Sequence, residues 1–581
     1  MKRWLAKHPA AGMGMLLFIV AFGLFSPSIF NAFVNWDDPF YVLGNLYLRH
    51  PERYGMTDLL FTPLIGYPVP FTVAVYRALH GAAGPNPAVF HLFNILIHAS
   101  SAALLGRMLL RFFPPSAALL GALFFALHPI VAEPVAWVTG AKDLLALFFS
   151  LVSMNALLAL LSSQPPRGAL PVVLITSILA LMSKPSAVAL IPCLVVALLL
   201  FGPAPSAAKK GIVLTLVALC VLGAMFIAAG AVGSVGMVTV GSVTGPAAYV
   251  AGILEAAALQ CRHLVLPVML LPTYPPAPAA LGPEHLVPVL LIVVVTVAVV
   301  HAIRQRNRPF LFFTSIAVFY YAPVSNLVPL DRFTADSYLY APLAGIAGLF
   351  ALLVDRLEKR LSGTSQRLVP LIAAGAVILL FGTLAFRQQR IWRNAETLWR
   401  AVLEVRPDDL RAREAYGGAL VHMNEKKRAL AYYRENEAAW RAEGWMPLPY
   451  MTLLAELGDD DGADALFVWS LGNSDYRKES VARNYIRFLL NTGRTPKPSD
   501  RALVRDALET FVDAAVLNAG PDQLLHIARL AGDTGAFDMA EALIARAIAR
   551  DPEPIYFEMG RAACRAGKKD GCEKKWPVEK K

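Results

Sequence analysis

Charge is scarce in this 581-residue chain. Asp, Glu, Lys and Arg make up 16% of it, against about a quarter in ordinary soluble proteins. With 56% apolar residues and a mean hydropathy of +0.52, that shortage excludes a purely soluble enzyme and a disordered chain. Cysteine is scarce too. Five in the whole chain exclude a secreted disulfide scaffold. Cys193 and Cys220 lie in apolar runs and read as inert core thiols, whereas Cys564 and Cys572 flank the turn GKKDG and could pair in an oxidising compartment.

What charge there is lies unevenly. The first 386 residues hold 34 charged side chains and the last 195 hold 61. The pattern predicts a membrane-embedded body over 1–386 and a water-soluble domain over 387–581. Of the net charge of +11, ten units fall in the first part and one in the second. Basic loops anchored at the cytoplasmic face explain this excess; nucleic-acid binding does not.

A helix needs about 20 mostly apolar residues to cross a bilayer. Eleven stretches are expected to do so, near 12–34, 88–110, 116–130, 143–162, 169–183, 186–202, 211–232, 285–303, 309–325, 338–354 and 369–386. The first follows Lys2, Arg3 and Lys7 but lacks a clear cleavage site, so it reads as a retained helix. Fifteen Lys and Arg residues in short loops fall on one side if residues 247–271, with Glu255, Arg262 and His263, form a re-entrant or interfacial segment. The N-terminus is then cytoplasmic and residues 387–581 periplasmic or lumenal. Ten of the twelve acids in the membrane part collect at that outer face: Asp37, Asp38, Glu52, Asp58, Glu133, Asp143, Glu255, Glu284, Asp331 and Asp336. Acids beside lipid are costly, so they mark a candidate site.

From about residue 392 onward the apolar period is helical. Residues 523–552, QLLHIARLAGDTGAFDMAEALIARAIARDP, read as a helix, a Gly turn, a second helix with Ala at the close-packing position, and a Pro stop. This is the tetratricopeptide pattern, with a looser copy over 412–441. The predicted fold is therefore all-α: a polytopic membrane helix bundle followed by a helical solenoid. Such solenoids offer concave surfaces that hold extended peptides, and they also serve simply as stabilising caps.

Five stretches carry candidate chemistry. Asn35-Trp36-Asp37-Asp38-Pro39 sets two carboxylates side by side after the first span, where repulsion raises one pKa. Either acid could act as a base towards a hydroxyl, or both could hold a divalent metal. Trp36 could stack on a sugar face or sit at the interface. His91, Asn94 and His98 share one face of a crossing helix, a stripe better suited to helix packing than to metal. His128 and Glu133 lie in HPIVAEPVAW, without zinc spacing, and Lys142-Asp143 could neutralise each other. Lys184, Arg262 and Arg332 are isolated cations suited to a phosphate, with helix-end snorkelling as the alternative for Lys184. Asp331-Arg332 and Ala335-Asp336-Ser337-Tyr338-Leu339-Tyr340 put an acid and tyrosines at the mouth of another helix.

In order and spacing these stretches resemble one family. The DD pair, YPVPFTVAVYRALHG with NPAVFHLFNILIHA, HPIVAEPVAWVTGAKDLLA, SKPSA, QCRHLVLPVMLLPTYPP, PVSNLVP with ADSYLYAPLAGI, and RIWRNAETLWRAVLEVRPDD are together similar to the transmembrane and tetratricopeptide-repeat (TMTC-type) O-mannosyltransferases and their bacterial relatives. These are GT-C integral-membrane glycosyltransferases. The resemblance implies a GT-C-like body of about eleven spans with an outer-face site. It implies transfer of a sugar from a polyprenyl-phosphate donor to a hydroxyl of a protein acceptor, which the repeats could hold. It makes Asp37 or Asp38 the catalytic carboxylate and leaves the two unseparated. From their residue types, Arg262, Lys184 and Arg332 are the candidates for donor-phosphate contacts, and Trp36, His128, Glu133 and Asp336 for sugar or acceptor contacts. Two positions depart from the family pattern: Ser337 stands where an Arg is common, and Pro185 follows Lys184 where an acid is common. Two other functions fit the same composition: a non-catalytic membrane scaffold for envelope or appendage assembly, and a ligase or polymerase of lipid-linked glycans.

Overall fold

The computed structural model describes residues 9–55, 58, 67–202, 246–274, 282, 285–328, 330, 332–361, 364–473, 478–492, 494–515, 521–550 and 554–567. The expected span 211–232 and Cys220, Glu284, Asp331 and Cys572 lie outside the described residues. The chain divides into two compact units, Met1–Pro407 and Asp408–Lys581.

The first unit is a helix bundle. Among the described residues its α-helices of five residues or more are α1 (Pro9–Phe25), α2 (Pro70–Ala83), α3 (Pro87–Leu109), α4 (Pro115–Leu127), α5 (Ala132–Ala136), α6 (Ala141–Leu160), α7 (Ala169–Ser183), α8 (Leu190–Phe201), α9 (Pro246–Val265), α10 (Leu286–Arg304), α11 (Arg308–Tyr321), α12 (Tyr340–Arg360), α13 (Thr364–Gln388) and α14 (Ala395–Val405). Sequence signals set several of the starts. Asn86 accepts from the Ala88 N–H ahead of Pro87, and Asn394 makes a reciprocal capping box with Thr397.

Among the described residues, six helices are long and apolar enough to cross a membrane, or seven if the pair Pro115–Leu127 and Pro129–Ala136, bent by 45°, counts as one span. That is fewer than the eleven expected. Three of the remaining stretches form shorter helices: α7 with 15 residues, α8 with 12 and α11 with 14. Prolines at 129 and 185 start new turns after α4 and α7, because Pro removes a backbone donor and cannot continue the preceding helix. The stretch near 247–271 holds the 20-residue helix α9, which is not among the six.

The core of this unit packs small residues against aromatics. Phe112, Phe113, Phe312 and Phe313 form one ring cluster. Close helix approach depends on two glycines. A Cβ on Gly121 of α4 would sit 2.8 Å from the Ala347 carbonyl oxygen on α12, and one on Gly345 of α12 would strike the Phe313 and Ala317 backbone of α11. The polar stripe of α3 is internal: His98 Nδ1 lies 3.0 Å from the Tyr340 hydroxyl and its Nε2 lies 3.1 Å from the Ala126 carbonyl oxygen.

The unit boundary falls at Pro407, later than the 386/387 step in charge. The reason is local. After α13 the chain turns back onto the bundle: Ser28 donates to Gln389 Oε1 at 2.7 Å, the Ala32 N–H donates to the Arg393 carbonyl at 2.9 Å, and Trp392 stacks on Trp137. The polar segment 387–407 therefore belongs to the membrane unit.

The second unit stacks helices α15 (Leu410–His422), α16 (Lys426–Ala442), α17 (Leu448–Glu456), α18 (Asp460–Asn473), α19 (Lys478–Thr492), α20 (Arg501–Ala515), α21 (Pro521–Asp533), α22 (Phe537–Arg550) and α23 (Pro554–Ala566) around one apolar core that runs from Leu420 to Cys564. The turn between α21 and α22 needs Gly535, at φ +82°, a region costly for residues with a Cβ. Ala528, Ala531, Ala540 and Ala547 are fully buried, or nearly so, at the close-packing positions. This agrees with the tetratricopeptide pattern. Cys564 is disulfide-bonded.

Because backbone cannot yield as a side chain can, Gly345→Ala should cost about 1–3 kcal/mol. A lower melting temperature in detergent is the expected result; an unchanged one would show that α11 and α12 are not held this closely.

Candidate functional site

The site is built at one end of the bundle from turns rather than from helix interiors. Asn35 through Asp38 follow the first span. The Asp37 carbonyl accepts from the Phe40 and Tyr41 N–H groups at 2.9 and 3.0 Å, which sets the turn. The two aspartates then diverge. Asp38 is fully buried, its Oδ2 accepting from the Val34 N–H at 2.9 Å. Asp37 keeps part of its side chain exposed, and its Oδ2 lies 3.1 Å from Lys142 Nζ. Burial, more than the neighbouring Asp37, pushes the Asp38 carboxyl up to about 7.

Two further ion pairs lie nearby. Asp143 Oδ1 is 2.5 Å from Lys184 Nζ, with both side chains about nine-tenths buried. Glu133 Oε1 is 3.1 Å from Arg332 Nη1 and also accepts from the Ser337 hydroxyl at 2.9 Å. The expected Lys142–Asp143 neutralisation does not occur. Adjacent residues on a helix point about 100° apart, so each takes a different partner. The three pairs share one electrostatic neighbourhood: Arg332 feels Asp37 as well as Glu133, Tyr41 feels Lys142, Asp37 and Asp143, and Tyr338 feels Arg332, Asp143 and Glu133.

Aromatic faces line the same region. The Arg332 guanidinium lies 5.4 Å from the Trp36 ring, which also packs 5.0 Å from Trp399. Lys184 Nζ lies 5.8 Å from the Tyr338 ring. The second Arg332 arm, Nη2, donates to the Pro272 carbonyl at 2.6 Å.

Asp37, Trp36, Glu133, Lys184 and Arg332 are thus brought together. Arg262 and Asp336 belong to an adjoining network. Asp336 is buried, accepting from the Tyr274 hydroxyl at 2.7 Å and pairing with His263 Nδ1 at 3.1 Å. Arg262 is exposed, and its Nη2 lies 3.3 Å from His263 Nε2. His128 does not fit a sugar-binding role. It is fully buried, its Nδ1 accepts from the Ile130 N–H, its Nε2 lies 3.1 Å from the Leu264 carbonyl, and Phe124 and Phe381 enclose the ring. It caps the bend after α4. Among the described residues no group of three His, Cys, Asp or Glu is placed to hold a metal ion; Asp37, Asp143 and Glu133 each face a cation instead.

Sequence reasoning singled out neither Tyr41 nor Trp399, and it included Trp137 in HPIVAEPVAW without giving it a role. The regular spacing of Asp37 and Tyr41 across one turn was a usable signal for Tyr41. Trp399 lies over 360 residues from Asn35, to whose Oδ1 it donates at 2.8 Å, and nothing local announces it.

The fold and site define a polytopic all-α membrane protein with helical repeats and an ion-paired site at one end of its bundle. Its curated relatives are protein O-mannosyl-transferases of the TMTC type, the resemblance its ordered motifs imply. It is 37% identical over 101 residues to human TMTC4, which covers 14% of this chain and 13% of that protein. It is 29% identical over 158 residues to mouse TMTC1, covering 26% of this chain and 16% of the relative. With mouse TMTC2 it shares 37% over 93 residues, 15% of this chain and 10% of the relative. The matches therefore span only a small part of these relatives' own length. No family profile matches the chain, and no solved structure matches it.

The buried Asp38 sets a pH dependence. Its carboxyl titrates near 7 when folded and near 3.8 when free, so its contribution to stability is full below about pH 4 and is lost as pH rises through 7. Asp38→Asn, whose amide oxygen can still accept from Val34, should flatten the fall in melting temperature between pH 5 and 8. An equal slope in both proteins would mean that Asp38 is ionised throughout.

Proposed function

We propose that this chain is a membrane glycosyltransferase that moves a sugar from a polyprenyl-phosphate donor to a hydroxyl of a protein acceptor, with Asp37 as the base. The observation that carries the reading is the partly exposed Asp37 carboxylate beside Lys142, within electrostatic reach of Arg332, whose guanidinium lies on the Trp36 ring, at the end of a bundle of membrane-spanning helices. The similarity to proteins named O-mannosyl-transferases supports it and makes mannose the first sugar to test.

The chemistry follows from these groups. Asp37 accepts the proton of the acceptor hydroxyl as its oxygen attacks the anomeric carbon. The carbon–oxygen bond to the phosphate breaks, and the lipid phosphate leaves with the electron pair. Arg332 and Lys184 stabilise the charge that develops on it. Attack in line with the leaving group inverts the anomeric centre. Trp36 offers an apolar face to the sugar ring. Lys184 and Arg332 are themselves neutralised by Asp143 and Glu133, so the donor phosphate competes for cations that are already placed. The repeats of the second unit would bind the acceptor polypeptide. The basic loops support a site on the periplasmic or lumenal side, and the disulfide at Cys564 fits an oxidising compartment for the second unit.

The test is transfer by the purified chain in proteoliposomes, with polyprenyl-phosphate-mannose as donor and exported protein as acceptor. Asp37→Asn should lower kcat by about 10²–10⁴-fold in a chain that still folds, with a lower melting temperature because Lys142 loses its carboxylate. Wild-type transfer surviving in that variant would remove Asp37 from the chemistry, and label accumulating on lipid-linked glycan instead of protein would point to a ligase or polymerase.

A further inference from the structure

We propose that Lys142 is a positioning residue, which fixes the Asp37 carboxylate from behind without touching the donor. The inference rests on the reading of Asp37 as the base and assigns that base its support.

Exposure divides the ion pair. The Lys142 side chain is 8% exposed and that of Asp37 is 21%. The acid is the member that a substrate meets, and the ammonium sits beneath it. A buried ammonium must replace the water it has lost. Lys142 does so with one carboxylate oxygen at 3.1 Å and two aromatic rings, Tyr41 at 4.7 Å and Trp137 at 5.4 Å. Cations over ring faces gain most when desolvated, as here.

The cage is itself fixed. Tyr41 rides on the turn that carries Asp37, since its own N–H donates to the Asp37 carbonyl at 3.0 Å. Tyr41 is fully buried and packs on Tyr76, whose hydroxyl donates to the Val138 carbonyl at 3.0 Å. Asn94 holds the Trp137 carbonyl at 2.8 Å. Lys142 lies in the first turn of α6, so its stem starts from a rigid element. A lysine stem is flexible when free; between these rings it points its ammonium at one oxygen of Asp37. Positioning of this kind helps catalysis only if the supporting shell is held as firmly as the reacting group.

The experiment compares Lys142→Met and Lys142→Arg, each in the wild-type and Asp37→Asn backgrounds. The donor is polyprenyl-phosphate-mannose, the acceptor is exported protein, and both kcat and donor KM are measured in proteoliposomes. The expected results are a kcat about 100-fold lower in Lys142→Met with donor KM within threefold of wild type, recovery to within about tenfold in Lys142→Arg, and no further loss when Lys142→Met is added to Asp37→Asn. A raised KM with unchanged kcat would make Lys142 a donor-binding group and overturn the proposal. So would equal losses in the wild-type and Asp37→Asn backgrounds. If Lys142→Met does not fold, Lys142→Arg decides alone: a kcat defect seen only when Asp37 is present supports the proposal, and an equal defect without Asp37 overturns it. Absence of transfer by the wild-type chain would instead refute the glycosyltransferase reading, a result distinct from any of these.

Discussion

A carboxylate held near lipid must bring its own cation, and the end of this bundle is arranged around that requirement. Three acids, Asp37, Asp143 and Glu133, meet three cations, Lys142, Lys184 and Arg332. Removing one partner from a buried pair typically costs about 3–5 kcal/mol, because the other charge is left without compensation. The pairs join positions far apart in the chain, so the same electrostatic demand that neutralises the site also ties its turns together. The turn after the first span is bound to the start of α6, α6 to the end of α7, and the short helix α5 to the segment before α12.

This arrangement leaves the site neutral but polarised. Lys142 and Lys184 are nearly stripped of water and Arg332 keeps part of its surface exposed, and fixed charges in such surroundings act more strongly than they would in water. The rings of Trp36, Tyr41, Trp137 and Tyr338 supply the apolar walls. The helices beneath contribute rigidity through close contacts, such as those at Gly121 and Gly345, and through buried hydrogen bonds, such as that between His98 and Tyr340. Asp38 differs from its neighbour in kind: it is internal, bonded to Val34, and shapes the turn that presents Asp37.

Much of the architecture was legible in the chain. The scarcity of charge before residue 386, the apolar runs and the Gly–Ala–Pro signature of the repeats gave an all-α membrane bundle followed by a helical solenoid. The motifs gave the family resemblance that the curated relatives bear out. Other features were not legible. Apolar composition marks a stretch as oily without fixing its helix as long enough to cross, so 169–183, a helix of 15 residues, and 309–325, whose helix ends at Tyr321 before the turn Ala322–Val324, both read as spans. The charge step at 386 marks the end of the oily sequence, whereas the contact boundary at 407 depends on Trp392 and Trp399 folding back. His128 has the residue type of a ligand, yet its ring lies between Phe124 and Phe381 and caps a bend.

The sequence by itself determined which segments could enter a membrane, that acids gather in a few turns, and that repeated helical pairs follow. Those properties depend on local composition and periodicity, which every short window displays. Only the tertiary structure decided that Asp37 rather than Asp38 is the accessible acid, that Lys142 faces Asp37 while Asp143 faces Lys184, and that Arg332 bridges Glu133 and Pro272. Adjacent residues share a composition but point in different directions, so the burial and partner of each are set by what the rest of the bundle places opposite it.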